Sequence, residues 1–162
     1  MLSIIVCCCK NYSIGRQAKL LHHIKEDLIF FKNLTLNKTV IVGRKTYESI
    51  PNRLQNRKVI LITSNKNYKC SVRNDIIISN DIENVLKIIP NNEEVFVIGG
   101  GEIYKQMIKF VDKIYMTIVD DECNGDCYFE NFYPKDWDVL TESFFFEKTQ
   151  NLKYKRIIYC RK

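Results

Sequence analysis

Strand-like and helix-like segments alternate along this chain, and this alternation restricts the folds open to it more than any other feature. Runs rich in β-branched and aromatic residues predict strands, and apolar residues three and four apart predict helices. The predicted strands span residues 2–9, 39–42, 58–63, 75–78, 94–98, 113–119, 139–147 and 154–160, and the predicted helices span residues 24–34, 46–50, 81–89 and 103–110. Strands separated by helices favour right-handed crossovers and a mostly parallel sheet. We therefore predict an α/β fold, a single doubly wound domain over residues 1–162 whose last two strands form an antiparallel hairpin.

The composition indicates the class of protein but does not indicate its function. With 162 residues, 46% of them hydrophobic and 27% charged, the chain has the composition of an ordinary globular protein. No apolar run approaches the roughly 20 residues of a membrane span, and residues 1–9 lack the basic start of a signal peptide, so we expect a cytoplasmic protein. The net charge of +6 is spread along the chain, which suits a polyanionic cofactor as well as nucleic acid.

The seven cysteines do not follow a recognisable disulfide or zinc pattern. Cys7, Cys8 and Cys9 are consecutive in a predicted strand, where neighbouring side chains point to opposite faces and cannot easily bridge. Cys123 and Cys127 are four residues apart, with no second pair to complete a tetrahedral site. The two histidines are adjacent and would make a poor chelate in an extended segment. These spacings predict reduced thiols and no bound metal.

Two predicted strand-to-helix turns contain glycine, at the edge of an open α/β sheet where ligands bind. The first turn reads Gly43-Arg44-Lys45-Thr46, and the second reads Gly99-Gly100-Gly101-Glu102. Glycine lets the backbone approach a phosphate closely, the N–H groups of the following helix point at it, and the two cations of the first turn add charge. Neither turn matches GxGxxG or GxxxxGK[ST], which disfavours a standard Rossmann dehydrogenase and a P-loop nucleotidase. Both turns predict anion sites.

Asp27 is a carboxylate on the apolar half of a predicted helix. At about 100° per residue, Ile24, Leu28 and Phe31 form one stripe, with Asp27 at its margin. Because moving an ionised acid out of water is costly, such a residue persists where it binds a cationic or donor-rich ligand group or handles a proton. The alternative is an acid that the helix dipole favours near the helix start.

Several motifs, taken in order, resemble dihydrofolate reductase of the bacterial type over nearly the whole chain. The matching residues are Ile14-Gly15, Asp27-Leu28 with Phe31-Lys32, Val40-Ile41-Val42-Gly43-Arg44-Lys45-Thr46-Tyr47-Glu48-Ser49-Ile50, Arg57-Lys58, Ile98-Gly99-Gly100-Gly101-Glu102-Ile103-Tyr104, Thr117 and Gly125-Asp126. The resemblance implies a dihydrofolate reductase-like fold and NADPH-dependent reduction of dihydrofolate to tetrahydrofolate. Hydride would pass to C6 and a proton to N5, and the product would supply one-carbon and thymidylate metabolism.

The resemblance also implies a substrate site around Asp27. This carboxylate would hydrogen-bond the 2-amino group and N3 of the pterin and favour protonation at N5. The carbonyls of Ile5 and Ile98 and the hydroxyl of Thr117 would complete the pterin contacts, and Arg57 would hold the glutamate α-carboxylate. The aminobenzoyl channel would be lined by Leu28, Phe31, Ile50 and Leu54. Small diaminopyrimidine antifolates would bind in the same place.

The same resemblance implies an NADPH site at the two glycine turns. The first turn would contribute Gly43, Arg44, Lys45 and Thr46. The pyrophosphate would lie against Gly99, Gly100, Gly101, Glu102, Ile103 and Tyr104, with a cis peptide between the first two glycines. The 2′-phosphate, which distinguishes NADPH from NADH, would be surrounded by Arg44, Thr63 and Ser64. The nicotinamide half would be flanked by Cys7, Ile14, Gly15 and Thr46.

The chain departs from the family pattern at Leu20-Leu21-His22-His23. Relatives usually have a hydrophobic residue, proline and tryptophan here, and the indole N–H bonds a water that links to the substrate. Because a neutral imidazole can hold the same water, we hypothesise that His22 substitutes for the indole in catalysis. The alternative is a substitution without consequence in a tolerant loop.

Two other functions stay open from the sequence. Another NADPH reductase on the same fold, such as the pyrimidine reductase of riboflavin synthesis, would share the glycine turns but would not need Asp27 or Arg57. A non-catalytic module that binds nucleotide or RNA would use the net positive charge. The resemblance itself implies a monomer without a nucleic-acid or membrane partner.

Overall fold

The computed structural model describes the backbone of residues 1–162 and all side chains except those of residues 52 and 53. The strands are β1 (Leu2–Cys9), β2 (Ser13–Arg16), β3 (Lys19–Leu20), β4 (Thr39–Gly43), β5 (Lys58–Ile62), β6 (Ile77–Ser79), β7 (Val95–Val97), β8 (Lys113–Val119), β9 (Cys127–Tyr128), β10 (Trp137–Glu147) and β11 (Leu152–Arg161). The α-helices are α1 (Lys25–Thr35), α2 (Arg44–Ser49), α3 (Ile82–Ile88) and α4 (Gly101–Met107), and short 3-10 helices span Pro51–Leu54, Ile108–Phe110 and Pro134–Asp136.

The central sheet has the strand order β10-β11-β8-β1-β7-β4-β5-β6. Strands β8, β1, β7, β4, β5 and β6 pair in parallel. Strands β10 and β11 form an antiparallel hairpin, and β11 joins the sheet antiparallel to β8. This topology confirms the predicted α/β fold, its mostly parallel sheet and its C-terminal hairpin. The carboxyl ends of the parallel strands, with both glycine turns, lie at one edge of the sheet.

Alternate residues of the central strands face two separate cores. On one face, Ile4 of β1 packs with Val85 of α3 and Met107 of α4, all three fully buried. On the other face, Ile5 of β1 lies in a cluster against which Phe31 of α1 packs. Fully burying one such aliphatic side chain contributes about 1.5–3 kcal/mol. Helices therefore cover both faces of the sheet, as a doubly wound fold requires.

A second, three-stranded sheet of order β3-β2-β9 was not predicted. Its strands pair antiparallel, with Gly15 opposite Leu20 and Ser13 opposite Tyr128. Because these strands have two to four residues, they show no periodicity that a sequence pattern could reveal. Among the described residues, none of the helices combines the length and the apolar character needed to span a bilayer.

Candidate active site

Asp27 contacts a row of residues that the register of the central sheet aligns. Across β1, β8 and β11, Cys7 pairs with Thr117 and Thr117 pairs with Arg156. Directly opposed residues of neighbouring strands present their side chains on the same face of a sheet, here the face that α1 covers. The Thr117 hydroxyl donates to Asp27 Oδ1 at 2.5 Å, and Arg156 Nη2 donates to the same oxygen at 3.2 Å. The site thus joins one carboxylate to a hydroxyl and a guanidinium.

Arg156 is packed between aromatic rings. Its guanidinium carbon lies 3.6 Å from the centroid of the Phe30 ring and 5.1 Å from that of Phe145. The side chains of Arg156 and Asp27 are 14% and 15% exposed. The buried Nε of Arg156 has no hydrogen-bond partner among the described residues. Because this ion pair is largely removed from water, losing one partner costs more than it would at a surface.

Two further groups near the site are held neutral by burial. Burial raises the pKa of the Cys7 thiol well above its ordinary value, and the charge of Asp27 raises it further. Burial also raises the pKa of Tyr104, whose hydroxyl donates to the carbonyl of Ile5 at 2.7 Å. Cys7 therefore presents a neutral thiol, and one of the two carbonyls predicted to face the pterin already accepts a hydrogen bond.

Most of the residues predicted to line the substrate site pack in one apolar cluster beneath α1. This cluster contains or adjoins Ile5, Phe31, Ile50, Leu54 and Ile98. Leu28 lies apart from the cluster on α1, where it is 43% exposed. Its exposure leaves it available to a ligand that covers the cluster.

Arg57 contacts this cluster at Phe31. Its Nε donates to Thr35 Oγ1 at 2.9 Å, and its Nη1 donates to the carbonyl of Gln55 at 2.8 Å. The guanidinium carbon lies 5.6 Å from the centroid of the Phe31 ring. These contacts fix the plane of the guanidinium, as two parallel bonds to a carboxylate require.

The two glycine turns touch at the carboxyl edge of the sheet. The amide of Gly43 donates to the carbonyl of Gly99 at 2.7 Å, and the peptide between Gly99 and Gly100 is cis, as the resemblance implied. A Cβ at Gly100 would lie 2.8 Å from the Thr46 hydroxyl Oγ1, so the Thr46 side chain packs closely against the glycine backbone. The predicted pyrophosphate residues are thus brought together.

The residues predicted around the 2′-phosphate also meet. Strands β4 and β5 are parallel and end level with each other, so Arg44 and Thr63, which follow them directly, are neighbours. Arg44 Nη1 pairs with Glu48 Oε2 at 2.9 Å, Thr63 is buried, and Ser64 and Lys45 are exposed. A guanidinium and two hydroxyls at one edge suit a phosphate.

The small sheet places the predicted nicotinamide residues beside the triple-glycine turn. A Cβ at Gly101 would lie 3.7 Å from Ile14 Cδ1 and 2.6 Å from Cys127 Sγ. The carbonyl of Gly15, in the same strand as Ile14, accepts a bond from the amide of Asp126 at 3.0 Å. Strands β2 and β9 therefore pack against the start of α4.

Comparison with known proteins identifies the family. The model of the dihydrofolate reductase family matches residues 1–161. The chain belongs to the dihydrofolate reductase family. The dihydrofolate reductase of Bacillus subtilis is 35% identical over 144 residues, which cover 87% of this chain and 82% of that protein. The enzyme of Buchnera aphidicola from Acyrthosiphon pisum is 38% identical over 142 residues, which cover 86% and 85%.

The fold comparison agrees with the family. A solved structure of dihydrofolate reductase from Enterococcus faecalis, complexed with NADP(H) and RAB-propyl, has a TM-score of 0.87 and 29% sequence identity, over 99% of this chain and 96% of that one. Membership of the dihydrofolate reductase family makes this protein an oxidoreductase. It also disfavours the pyrimidine reductase and the non-catalytic module.

His22 occupies the sequence position at which the family resemblance implied a water-holding indole. Its Nε2 is 3.2 Å from Cys123 Sγ and 3.2 Å from Asp121 Oδ2. Asp27 and Thr117 are not among the polar contacts of His22 in the described part of the chain. The catalytic role of His22 stays a prediction.

Cys9 and Cys123 form a disulfide, with their Cα atoms 5.9 Å apart. The prediction that all cysteines are reduced thiols was wrong for this pair. Because β1 and β8 are parallel and Cys9 pairs with Val119, the segment that follows β8 passes the end of β1. A sequence separation of 114 residues hides this proximity. Five cysteines are not in disulfides, namely Cys7, Cys8, Cys70, Cys127 and Cys160.

Two polar contacts were not predicted from the sequence, namely that of Arg156 with Asp27 and that of Asp121 with His22. No motif marks Arg156, and only the alternation along β11 together with the register opposite Thr117 reveals that it faces Asp27. Asp121 belongs to an acidic run in a loop, which by itself is most often solvated.

Proposed function

We propose that this protein reduces dihydrofolate to tetrahydrofolate with NADPH, by transfer of hydride to C6 and of a proton to N5, as a cytoplasmic monomer. The observation that carries the proposal is the partly buried Asp27, bonded to Thr117 between α1 and β8. Membership of the dihydrofolate reductase family supports the reaction class.

Asp27 would bind the donor-rich edge of the pterin. Thr117 and Arg156 both donate to Oδ1, so Oδ2 is the oxygen proposed to accept hydrogen bonds from N3 and the 2-amino group. A carboxylate so placed stabilises positive charge that develops when N5 gains a proton. The overall reaction consumes one NADPH and one proton per dihydrofolate.

The cofactor would lie along the carboxyl edge of the sheet. The glycine turns present close-packed backbone around Gly43 and Gly99, and Arg44 beside Thr63 supplies the cation and hydroxyl that a 2′-phosphate needs. The supporting chemistry therefore favours NADPH over NADH. When bound, NADPH supplies the hydride.

The substrate would extend from Asp27 along the apolar cluster to Arg57. The aminobenzoyl ring would cover apolar side chains, and the oriented guanidinium of Arg57 would receive the glutamate α-carboxylate. Diaminopyrimidine antifolates carry the same donor edge as the pterin and would occupy the Asp27 end.

The test is NADPH oxidation, followed by absorbance on adding dihydrofolate, with NADH as the parallel cofactor. Asp27→Asn is expected to lower kcat at least about 100-fold, because the neutral amide cannot supply the negative charge. Glu26→Gln is the matched control, since Glu26 is the exposed neighbour of Asp27 on α1. NADPH affinity and the circular dichroism spectrum should stay unchanged in both variants.

Two outcomes would contradict the proposal. Near-normal turnover of Asp27→Asn at neutral pH would remove Asp27 from the mechanism. Tight NADPH binding without oxidation by the unaltered protein would mean either that the departure at Leu21-His22 has disabled catalysis or that dihydrofolate is not the substrate.

A further inference from the structure

Three metal-binding groups from separate segments meet at the disulfide, and a carboxylate lies beside them. Cys9 ends β1, His22 lies between β3 and α1, and Cys123 lies in the loop after β8. The two Sγ atoms and a ring nitrogen of His22 all lie within 4.8 Å of one another. Asp121 Oδ2 is 3.2 Å from His22 Nε2 and 3.7 Å from Cys123 Sγ. We propose that, when the disulfide is reduced, these four residues bind one Zn²⁺.

The donor set matches the chemistry of zinc. Zinc in structural sites is tetrahedral and takes thiolate, imidazole and carboxylate ligands. Bond lengths of about 2.0–2.3 Å place the ligand atoms of such a site about 3.3–3.8 Å from one another. The nitrogen–sulfur, nitrogen–oxygen and sulfur–oxygen distances from His22, Cys123 and Asp121 lie within a few tenths of an ångström of those values. The two sulfurs depart from this geometry because they are bonded to each other.

A disulfide alone does not account for the arrangement. It needs two sulfurs, whereas here a ring nitrogen of His22 also lies within 4.8 Å of both sulfurs, and Asp121 Oδ2 lies 3.2 Å from His22 Nε2. The His22 side chain is 16% exposed, and Cys9 is 1% exposed, so two of the donors are largely withdrawn from water. Of the other cysteines near the strand ends, Cys8 packs into the opposite core and Cys127 packs beside that core. The proposed ligands are therefore Cys9, His22 and Cys123, with Asp121 as the adjoining carboxylate.

Reduction of the disulfide precedes the binding of zinc. A phosphine or low-molecular-weight thiol supplies two electrons and, with two protons, converts the disulfide into two thiols. Zn²⁺ then displaces both thiol protons, while neutral His22 and the Asp121 carboxylate donate lone pairs. The completed site carries a net charge of one negative unit. It ties the His22 segment to the ends of β1 and β8.

The test uses the full chain, reduced with a phosphine and freed of metal by a chelator. Zn²⁺ content is measured after gel filtration, and Co²⁺ substitution reports thiolate ligands through sulfur-to-metal charge-transfer absorption. One Zn²⁺ per chain is expected for the unaltered protein. Cys9→Ser and Cys123→Ser should lose the charge-transfer band or most of it. His22→Gln should weaken affinity at least about 10–100-fold, the loss typical even of a group that only supports a ligand.

The matched control is Cys160→Ser, because Cys160 is a partly exposed thiol on β11 outside the cluster. It should bind Zn²⁺ like the unaltered chain. A measurement that needs no variant is the Tm of the reduced protein, which should rise about 5–10 °C at a hundredfold excess of Zn²⁺ over its Kd. This readout keeps the proposal testable even if a cysteine variant fails to fold.

Either of two results would overturn the proposal. The reduced chain could bind no more Zn²⁺ than the double variant Cys9→Ser/Cys123→Ser and show no rise in Tm, which would leave the pair as a disulfide only. Cys160→Ser could lose as much Zn²⁺ as Cys123→Ser, which would place the metal elsewhere.

Discussion

Replacing Arg156 by glutamine should tighten the binding of a cationic diaminopyrimidine antifolate. Arg156 Nη2 lies 3.2 Å from Asp27 Oδ1, so a guanidinium already neutralises the carboxylate that would receive the ligand. A ligand cation bonded to Oδ2 would lie about 6 Å from that guanidinium, where two like charges repel by about 3 kcal/mol at an effective dielectric constant of 20. Residual solvent and salt reduce this to roughly half, about 1.4 kcal/mol. Arg156→Gln should therefore lower the Kd about tenfold.

The assay is calorimetric titration of the antifolate into NADPH-saturated protein at neutral pH. Arg156→Lys keeps the positive charge and should change the Kd little. Lys155→Gln is the matched control from the next position of β11, because Lys155 Nζ pairs with Glu142 Oε1 at 3.0 Å, away from Asp27. The advantage of Arg156→Gln should also shrink as salt is added, since screening weakens the repulsion that it removes.

Loss of the ion pair between Arg156 and Asp27 also lowers the stability of the folded protein. This loss limits the temperature at which the titration can be made. Removing one partner of a fully buried pair costs about 3–5 kcal/mol, an upper limit for side chains that keep some exposure. Titrations are therefore made well below the Tm of each variant. If folded Arg156→Gln bound the antifolate equally or more weakly, the reasoning would be refuted, and Arg156 would hold Asp27 in place rather than compete with the ligand.

Three further changes test other parts of the structure. Gly101→Ala should weaken NADPH binding at least about tenfold, because the added Cβ would lie 2.6 Å from Cys127 Sγ, a close approach that only glycine allows. An unchanged Kd in a fluorescence titration with NADPH would contradict this prediction. Tyr104→Phe should lower the free energy of unfolding by about 1–2 kcal/mol in urea, because the carbonyl of Ile5 loses a buried bond; an unchanged midpoint would show that the bond contributes nothing. Burial raises the pKa of Cys8 from 9.0 to about 12, so between these pH values the folded state keeps a proton that the unfolded chain releases. The free energy of unfolding should therefore fall by about 1.4 kcal/mol per pH unit as the pH rises from 9 towards 12. Cys8→Ala should reduce that slope, measured by urea unfolding at stepped pH, and an unaltered slope would exclude this thiol as its source.

The long elements of the fold could be predicted because they repeat a pattern over many residues. Strand β1 and helix α1 each extend far enough for apolar periodicity to appear, whereas β3 has two residues and depends on pairing with β2. The cis peptide between Gly99 and Gly100 could be predicted only by resemblance, since composition and spacing say nothing about it. Local sequence patterns therefore predict the long strands and helices, but they do not predict elements that depend on tertiary pairing.

The residues of the site likewise include some that the sequence could predict and some that it could not. Asp27 could be found because it lies at the margin of an apolar stripe and matches the family pattern, and Thr117 because it belongs to the same pattern. Arg156 could not be found, because its place opposite Thr117 depends on how β11 pairs with β8. The pairing of Cys9 with Cys123 depends likewise on the parallel contact of β1 with β8. Each missed residue is a neighbour across strands that are distant in sequence.

The departure from the family at His22 and the pairing of Cys9 with Cys123 form one structural feature. An indole at this position offers a single N–H donor and no lone pair for a metal, whereas an imidazole offers both a donor and an acceptor nitrogen. With Cys123 Sγ and Asp121 Oδ2 each 3.2 Å from its Nε2, His22 fits an anchoring role better than a water-holding one. The disulfide joins the end of β1 to the loop after β8, and His22 contacts this loop through polar contacts with Cys123 and Asp121. The zinc state would bind His22 as well, so the state of the sulfur pair would set how firmly the segment between β3 and α1 is held in this reductase.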